Sequence, residues 1–135
     1  MRVLFWYCDK FAWTPTLKTL DDVPESIAGE QEQVVVAFVH VEPEDVKTGS
    51  SAETKLVKNA KWVARKWEVS KILLHSFTHL GEEKAEPDQA RQLLERARDR
   101  LKKADYNAGL TAFGYYNDLS IDAQGHPLAR IFKQF

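Results

Sequence analysis

The chain has 135 residues, of which 44% are hydrophobic and 29% charged, with a formal net charge of −1. This length and apolar content predict a single domain, residues 1–135, around one core. The near-zero charge excludes the uniformly basic surface of many nucleic-acid-binding proteins, so any RNA contact must be local. Cys8 is the only cysteine, which excludes an intrachain disulfide and an all-cysteine metal site.

No apolar run has the length of a signal peptide or a membrane span. Met1–Cys8 is followed at once by Asp9 and Lys10, and Val34–Val41 has eight residues, whereas a membrane helix needs about 20. We therefore expect a soluble, cytoplasmic protein without membrane contact.

Two continuous apolar runs, Val3–Tyr7 and Val34–Val41, predict neighbouring strands covered on both faces in a central sheet. Between them, residues 14–33 mix proline, glycine and acids. This composition predicts a connection, with a short strand around Phe11–Thr16.

Two amphipathic helices are predicted, one from about Ser51 to Glu68 and one from Pro87 to about Lys103, with a strand at Lys71–Leu74 between them. Their apolar residues recur at three- and four-residue spacing and form one buried stripe on each helix: Leu56, Ala60, Val63, Ala64 and Trp67 in the first, and Ala90, Leu93, Leu94, Ala97 and Leu101 in the second.

The carboxyl-terminal part predicts short strands at Gly109–Ala112, Tyr115–Ile121 and Leu128–Phe132, with a hairpin-like turn at Asp122–Gly125. Strand–helix–strand units imply parallel pairs. The expected fold is α/β, with a mixed sheet, two main helices and an antiparallel, strand-rich end.

His75 and His79 have the four-residue spacing of two zinc ligands on a helix, but here they leave a strand and no third ligand is evident. Packing or hydrogen bonding is favoured over metal binding, so we expect no metal. His79 follows the carboxyl end of a predicted strand, where open α/β sheets place ligands. A loop-anchoring role for His79 remains the alternative.

Other enzyme signatures are missing. No nucleophile elbow is present, Cys8 lies in a buried-strand pattern, and the glycines are too dispersed for a phosphate loop. These features disfavour serine or cysteine hydrolases and nucleotide-binding enzymes, and they indicate no cofactor.

Basic residues cluster on both predicted helices, where they form either solvated faces or RNA contacts, and the first helix is the better candidate for RNA. Phe113, Tyr115 and Tyr116 surround Gly114. Such an arrangement suits a small polar ligand or a stacked base, but it equally suits tyrosines that cover a sheet.

Five segments, spread over nearly the whole chain, carry a family resemblance: Met1–Leu4, Val36–Glu42, His79–Leu80, Ala112–Tyr116 and Gly125–Ala129. Together they resemble the amino-terminal editing domain of archaeal-type threonyl-tRNA synthetases, which hydrolyses serine wrongly attached to threonine tRNA.

The resemblance implies the fold of D-aminoacyl-tRNA deacylases, a homodimer, and a pocket for the aminoacylated 3′ end of a tRNA. It also implies that water, assisted by a ribose hydroxyl of the RNA, attacks the ester without an acyl-enzyme. The implied catalytic residues are His79, Tyr116 and Asn117. The implied substrate-binding residues are Val41, Ser76, Thr78, Phe113, Gly114, Tyr115 and Arg130.

The chain departs from the family pattern at four positions. Asn117 replaces a lysine whose charge could steady water or a developing oxyanion. Arg130 stands where the pattern has a glutamate, and Ser76 and Thr78 replace smaller or apolar wall residues.

Two functions from different classes follow. The first is a freestanding aminoacyl-tRNA deacylase that edits Ser-tRNA(Thr) in trans, with a threonyl-tRNA synthetase as a further candidate partner. The second is a noncatalytic module that binds a tRNA end, an amino acid or a protein and has lost the editing lysine.

Overall fold

The computed structural model describes the whole chain, Met1–Phe135, as one sheet with two helices. The elements are β1 (Arg2–Lys18), β2 (Gly29–His40), α1 (Ala52–Lys66), β3 (Lys71–Ser76), α2 (Pro87–Lys103), β4 (Asn107–Leu110), β5 (Tyr115–Asp122) and β6 (Arg130–Gln134), with a 3₁₀ turn at Pro43–Val46 before α1. The α/β class and both predicted helices are confirmed. Neither helix is long and apolar enough to cross a membrane.

The sheet is mixed, as predicted. Its strand order is β4-β3-β2-β1-β5, with β6 also paired to β1. The pairs β2–β3 and β3–β4 are parallel, whereas β1 is antiparallel to all three of its partners. Because α1 and α2 are the crossovers of the two parallel pairs, both start at the carboxyl end of the sheet strands.

The prediction of a separate short strand at Phe11–Thr16 is wrong, because this segment continues β1. The strand runs for 17 residues through Pro15, which pairs with Asn117. Proline cannot donate to a ladder, but an irregularity of register between Pro15 and Lys18 marks the kind of place where a strand tolerates it.

The predicted hairpin at Asp122–Gly125 is also wrong. Strands β5 and β6 do not pair with each other; both are antiparallel to β1, and both lie along one of its edges. They therefore run in the same direction, as one strand interrupted by residues 123–129. The loop returns to β1 at Ala129, whose carbonyl accepts a 3.0 Å bond from Tyr7.

The sheet must curl, because β4 and β5 lie at opposite ends of the strand order and only Thr111–Gly114 join them. Followed strand by strand across the sheet, the residue pairing places Leu110 of β4 at the same level as Phe5 of β1. Tyr115 of β5 pairs directly with Lys18 of β1. A straight β1 would hold Phe5 and Lys18 about 43 Å apart. The link from Leu110 to Tyr115 spans at most about 18 Å, so β1 bends and carries β5 back over the sheet.

The curl encloses a second core, separate from the one under the helices. The larger cluster, between sheet and helices, contains Val35, Ala37 and Val39 of β2 with the stripes of α1 and α2. The smaller cluster consists of Cys8, Phe11, Val34, Val36, Phe38 and Leu73. Alternate residues of β2 thus face different cores, which explains the continuous apolar run.

Both helices follow their sequence signals. The Ser50 hydroxyl accepts a 3.2 Å hydrogen bond from the backbone of Ala52 at the start of α1, and Pro87 occupies the first turn of α2. After α1, Trp67 stacks on Tyr7 with ring centroids 4.0 Å apart and donates to the Leu128 carbonyl at 3.0 Å. This residue ties the helix end to the loop between β5 and β6.

We expect Phe11→Ala to lower the free energy of unfolding by about 3–5 kcal/mol, because Phe11 is fully buried inside the curl and its loss leaves a cavity. Ile27→Ala is the control, since Ile27 is 85% exposed and its change should fall within about 0.5 kcal/mol. Urea denaturation measures both. Equal values for the two variants would contradict the enclosed second core.

Candidate functional site

A cavity of about 450 Å³ opens where three parts of the curled sheet meet. Its walls come from the end of β3 and the following loop, the link between β4 and β5, and the residues after β1. The lining residues are Thr19, Leu20, Ser76, Thr78, His79, Lys84, Ala85, Pro87, Ala112, Phe113, Gly114, Tyr115 and Tyr116. The bend of β1 is what brings Thr19 and Leu20 to this place.

The loop from Phe77 to Glu86 carries one wall and is held from below by His40. The buried imidazole accepts a 3.1 Å hydrogen bond from the Leu80 N–H at Nδ1. Nε2 therefore carries the proton and donates to the Glu83 carbonyl at 2.7 Å. The two nitrogens of one imidazole ring thus satisfy two loop groups at once.

Arg2 holds the same loop from the side, and the amino terminus holds the segment from Glu42 to Asp45. Arg2 donates to the Leu80 carbonyl at 2.9 Å, and the buried amino terminus of Met1 pairs with Asp45 at 2.8 Å and with Glu42 at 2.9 Å. Burial alone would raise the pKa of Glu42, but the hydrogen bond and charge of the ammonium, together with Arg2, lower it. Glu42 therefore stays ionised beside these cations.

The opposite wall is a link with a constrained backbone. Gly114 has φ +80°, and a Cβ there would lie 2.5 Å from a methyl of Val23. Its carbonyl accepts a 2.8 Å bond from Thr19, while the Tyr115 hydroxyl donates to the Pro24 carbonyl at 2.7 Å. Only glycine fits this approach of two chain segments.

His75 and His79 do not act together. His75 is buried among Phe11, Phe38 and Phe77, and its Nδ1 shares a 2.7 Å hydrogen bond with the Thr111 hydroxyl. Burial lowers the pKa of His75 to about 4, so its ring is neutral near pH 7. No cluster of three or more potential ligand side chains exists in Met1–Phe135 to hold a metal.

His79 and Tyr116 face solvent at the cavity. The His79 ring meets the edge of Phe77 with centroids 4.9 Å apart, and Tyr116 is 61% exposed. The Tyr116 carbonyl accepts a 2.9 Å bond from Thr16, which fixes the backbone while the phenol stays free. Both side chains are therefore available to a ligand.

Three residues proposed from the sequence do not line the cavity. Val41 is buried in the main core, and its carbonyl accepts a 2.9 Å bond from Ala85. Asn117 turns its amide to the carbonyls of Ala112 and Tyr115, at 3.1 and 3.3 Å. Arg130 lies over the ring of Trp6 at 5.3 Å. The other seven line the cavity: Ser76, Thr78, His79, Phe113, Gly114, Tyr115 and Tyr116.

Lys84 lines the cavity and was missed from the sequence. It is the one lysine or arginine in the cavity wall, it is exposed, and it forms no ion pair with any residue of the chain. Nothing in the segment Glu82–Glu86 distinguishes it from solvated surface. Its place depends on the anchors that His40 and Arg2 give to the loop.

The cavity offers hydroxyls, aromatic rings and the ammonium group of Lys84. Ser76, Thr78 and Thr19 supply hydroxyls, and no carboxylate lines the wall. Cys8 is buried elsewhere, and burial followed by the charge of Asp9 raises the pKa of its thiol to about 12, which excludes it as a thiolate nucleophile. The arrangement suits an uncharged or anionic polar ligand.

Comparison with known proteins shows one family and one fold. The family model of the archaea-specific editing domain of threonyl-tRNA synthetase matches residues 1–135. Threonine–tRNA ligases from Pyrococcus furiosus (32% identity over 98% of the chain) and Pyrobaculum aerophilum (31% over all of it) are similar relatives, and the chain spans 22% of the length of each.

Among solved structures, the c-Myc DNA Unwinding Element Binding Protein is similar, with a TM-score of 0.72 at 12% identity, covering 100% of this chain and 99% of that one. The D-aminoacyl-tRNA deacylase-like fold expected from the sequence is confirmed.

The buried His75 predicts a pH-dependent stability. The folded pKa of about 4 lies below the ordinary value of 6.5, so the unfolded chain takes up the proton first as pH falls. The contribution of the neutral His75 ring to the free energy of unfolding is fully present above pH 6.5. It is lost as the pH falls from 6.5 to about 4, and the total loss is roughly 3 kcal/mol.

Urea denaturation of the parent and of His75→Gln between pH 7 and pH 4 measures this contribution. The titration of carboxylates affects both proteins equally, so it cancels in the difference between their stabilities. The difference in stability between parent and variant should shrink as pH falls. The exposed His126→Gln is the control and should track the parent. A pH-independent difference for His75→Gln would contradict the neutral buried ring.

Proposed function

Because this chain belongs to the archaea-specific editing domain family of threonyl-tRNA synthetase, we propose that it hydrolyses the ester of a mischarged tRNA, with Ser-tRNA(Thr) as the substrate. The observation that carries the proposal is the cavity, which unites His79, Tyr116 and Lys84 with the hydroxyls of Ser76 and Thr78. Its volume lies in the range of small-molecule sites, about 300–1,000 Å³.

The reaction is a displacement by water. The water oxygen attacks the carbonyl carbon of the ester, the bond from that carbon to the ribose oxygen breaks, and the departing oxygen takes a proton. The adjacent ribose hydroxyl of the RNA assists, so no side chain becomes acylated. His79 positions the water, and Tyr116 borders the reacting end.

Lys84 supplies the positive charge in this proposal. In the family pattern a lysine stands at the position of Asn117, but the Asn117 amide is engaged with the carbonyls of Ala112 and Tyr115. In this proposal Asn117 positions the cavity wall. Lys84 is the cation that can approach a developing oxyanion, where fixed positive charge lowers the barrier.

The selectivity follows from size. Serine differs from threonine by one methyl, which changes binding energy by only about 1–3 kcal/mol, so a synthetic site alone separates them poorly. A second, hydrolytic pocket that admits serine and rejects threonine supplies the missing discrimination. Ser76 and Thr78 border the place proposed for the amino acid, with Phe113 as its apolar wall.

The proposal includes a homodimer in the cytoplasm that acts on tRNA charged by a threonyl-tRNA synthetase. Light scattering of the purified chain tests the dimer independently of catalysis. The alternative is a noncatalytic module that binds the tRNA end. The presence of Asn117 where the family pattern has a lysine favours this alternative.

The central experiment measures release of labelled serine from Ser-tRNA(Thr), with Thr-tRNA(Thr) and D-aminoacyl-tRNAs as comparisons. We expect hydrolysis of the seryl ester well above the buffer rate, and Lys84→Gln should lower kcat by about a hundredfold. Lys102→Gln, an exposed lysine at the far end of α2, is the control and should retain the parent rate. Buffer-rate hydrolysis of every ester by the folded parent would reject the deacylase.

We expect Asn117→Lys to reduce deacylation several-fold rather than raise it, because the substitution removes two hydrogen bonds that fix the wall from Ala112 to Tyr115. Asp118→Lys adds the same side chain at the next, exposed position and serves as the control. The measurement is the initial rate of deacylation by the parent, Asn117→Lys and Asp118→Lys. Activity that appears in Asn117→Lys and is absent from the parent would identify the natural chain as a binder.

A further inference from the structure

Charge is segregated between the helices and the rest of the chain. Helices α1 and α2 hold 11 of the 19 lysines and arginines but only 4 of the 20 acids. The helices therefore carry a net charge of +7 and the remaining residues −8. The overall charge of −1 conceals one strongly basic layer, which creates a local field that net charge alone does not report.

The basic charge of α2 is largely compensated within the protein. Arg96 and Arg100 both bond to Glu53, at 2.7 and 2.9 Å, and these bonds outweigh burial to lower the pKa of Glu53. Arg91 pairs with Asp88 at 3.2 Å, and Arg98 bonds to its neighbour Asp99. All four guanidinium groups of α2 thus already have an anion.

The basic side chains of α1 have no such partners. Its one acid, Glu53, is occupied by the arginines of α2. Five cations of α1 form no ion pair: Lys55, Lys58, Lys61, Arg65 and Lys66. Four of them are exposed and Lys61 is half-buried.

An aromatic side chain lies among these cations. Lys66 of α1 and Lys133 of β6 both approach the ring of Trp62, with their ammonium nitrogens 5.6 and 5.8 Å from its centroid. The two nitrogens are therefore at most about 11 Å apart, close to the screening length of about 8–10 Å in physiological salt. Their repulsion is relieved when an anion binds between or across them.

The surroundings of the cavity have the opposite charge. Asp21 and Asp22 follow the wall residue Leu20, and Glu82, Glu83 and Glu86 flank Lys84; all five acids are exposed. A polyanion whose end enters the cavity meets these acids first. The attraction that holds it must come from another surface.

Helix α1 is connected to the strand edge at which the cavity opens. Residues 41–51 lead from the carboxyl end of β2 to α1, and Ser76 of the cavity wall closes the neighbouring β3 at that same end of the sheet. The helix is about 22 Å long. Its unpaired cations, from Lys55 to Lys66, therefore form an extended basic strip outside the acidic surroundings of the cavity.

We propose that this α1 face, defined as Lys55, Lys58, Lys61, Trp62, Arg65, Lys66 and Lys133, binds the phosphate backbone of the tRNA whose aminoacylated end occupies the cavity. The inference rests on the proposed function for the identity of its ligand. Lysine and arginine contacts to phosphates give affinity without sequence readout and release counterions, so binding is strongly salt-dependent.

The test compares two triple variants that remove the same charge. Lys58→Gln/Arg65→Gln/Lys66→Gln removes unpaired cations of the α1 face, and Arg91→Gln/Arg98→Gln/Lys102→Gln removes the same number from α2. Binding of fluorescently labelled threonine tRNA is measured from 50 to 200 mM salt, with circular dichroism to confirm folding. Vesicles of phosphatidylglycerol and an acidic peptide serve as alternative anions.

We expect the α1 variant to bind tRNA about 10- to 100-fold more weakly and the slope of log K against log salt to fall by about 2–3, since each lost phosphate contact removes about 0.7–0.9. In the deacylation assay its KM should rise while kcat is retained. The α2 variant should stay close to the parent in affinity and slope.

Parent-like affinity and slope in the α1 variant, or equal losses in both variants, would overturn the α1 face. Binding of vesicles or peptide in preference to tRNA would overturn it as well. The two proposals fail separately. If the parent binds tRNA through the α1 face but hydrolyses no ester, the α1 face stands and the deacylase proposal is rejected. If the parent hydrolyses the ester and the α1 substitutions have no effect, the deacylase proposal stands and the α1 face is rejected.

Discussion

The bend of β1 is the constraint on which the cavity depends. This one strand pairs with β2 along one edge and with β6 and β5 in succession along the other. Since only four residues join β4 to β5, the pairing of β5 with the far half of β1 is possible only in a curled sheet. The curl creates a second core around Phe11 and Phe38, and it brings the residues after β1 against the link at Gly114.

The histidines show how burial assigns roles to chemically identical side chains. His40 uses both ring nitrogens to hold the loop after β3, and His75 is neutral within the second core, with its pKa lowered by burial. Neither is free to act on a ligand. His79 has no comparable restraint, and it stands at the cavity because His40 and Arg2 hold the loop that carries it.

Positive charge within this chain is distributed differently from what the family pattern suggests. The lysine expected at Asn117 is replaced by an amide that bonds to the cavity wall, and the cavity cation is Lys84 from the opposite wall. A fixed charge acts through its distance from the reacting atoms, not through its position in the sequence. The same distinction separates α1 from α2, whose basic compositions are similar but whose ion pairs are not.

The sequence by itself determined the two helices, the buried strands β2 and β3, and the family, because apolar periodicity and local motifs depend on neighbouring residues. Seven of the ten residues that the family resemblance implied for the site also line the cavity. The continuity of β1, the collinear β5 and β6, the orientation of Asn117 and the presence of Lys84 were decided only by the tertiary structure. Each of these depends on contacts between segments far apart in the chain, such as Lys18 with Tyr115 and His40 with Leu80, and local patterns do not encode such contacts.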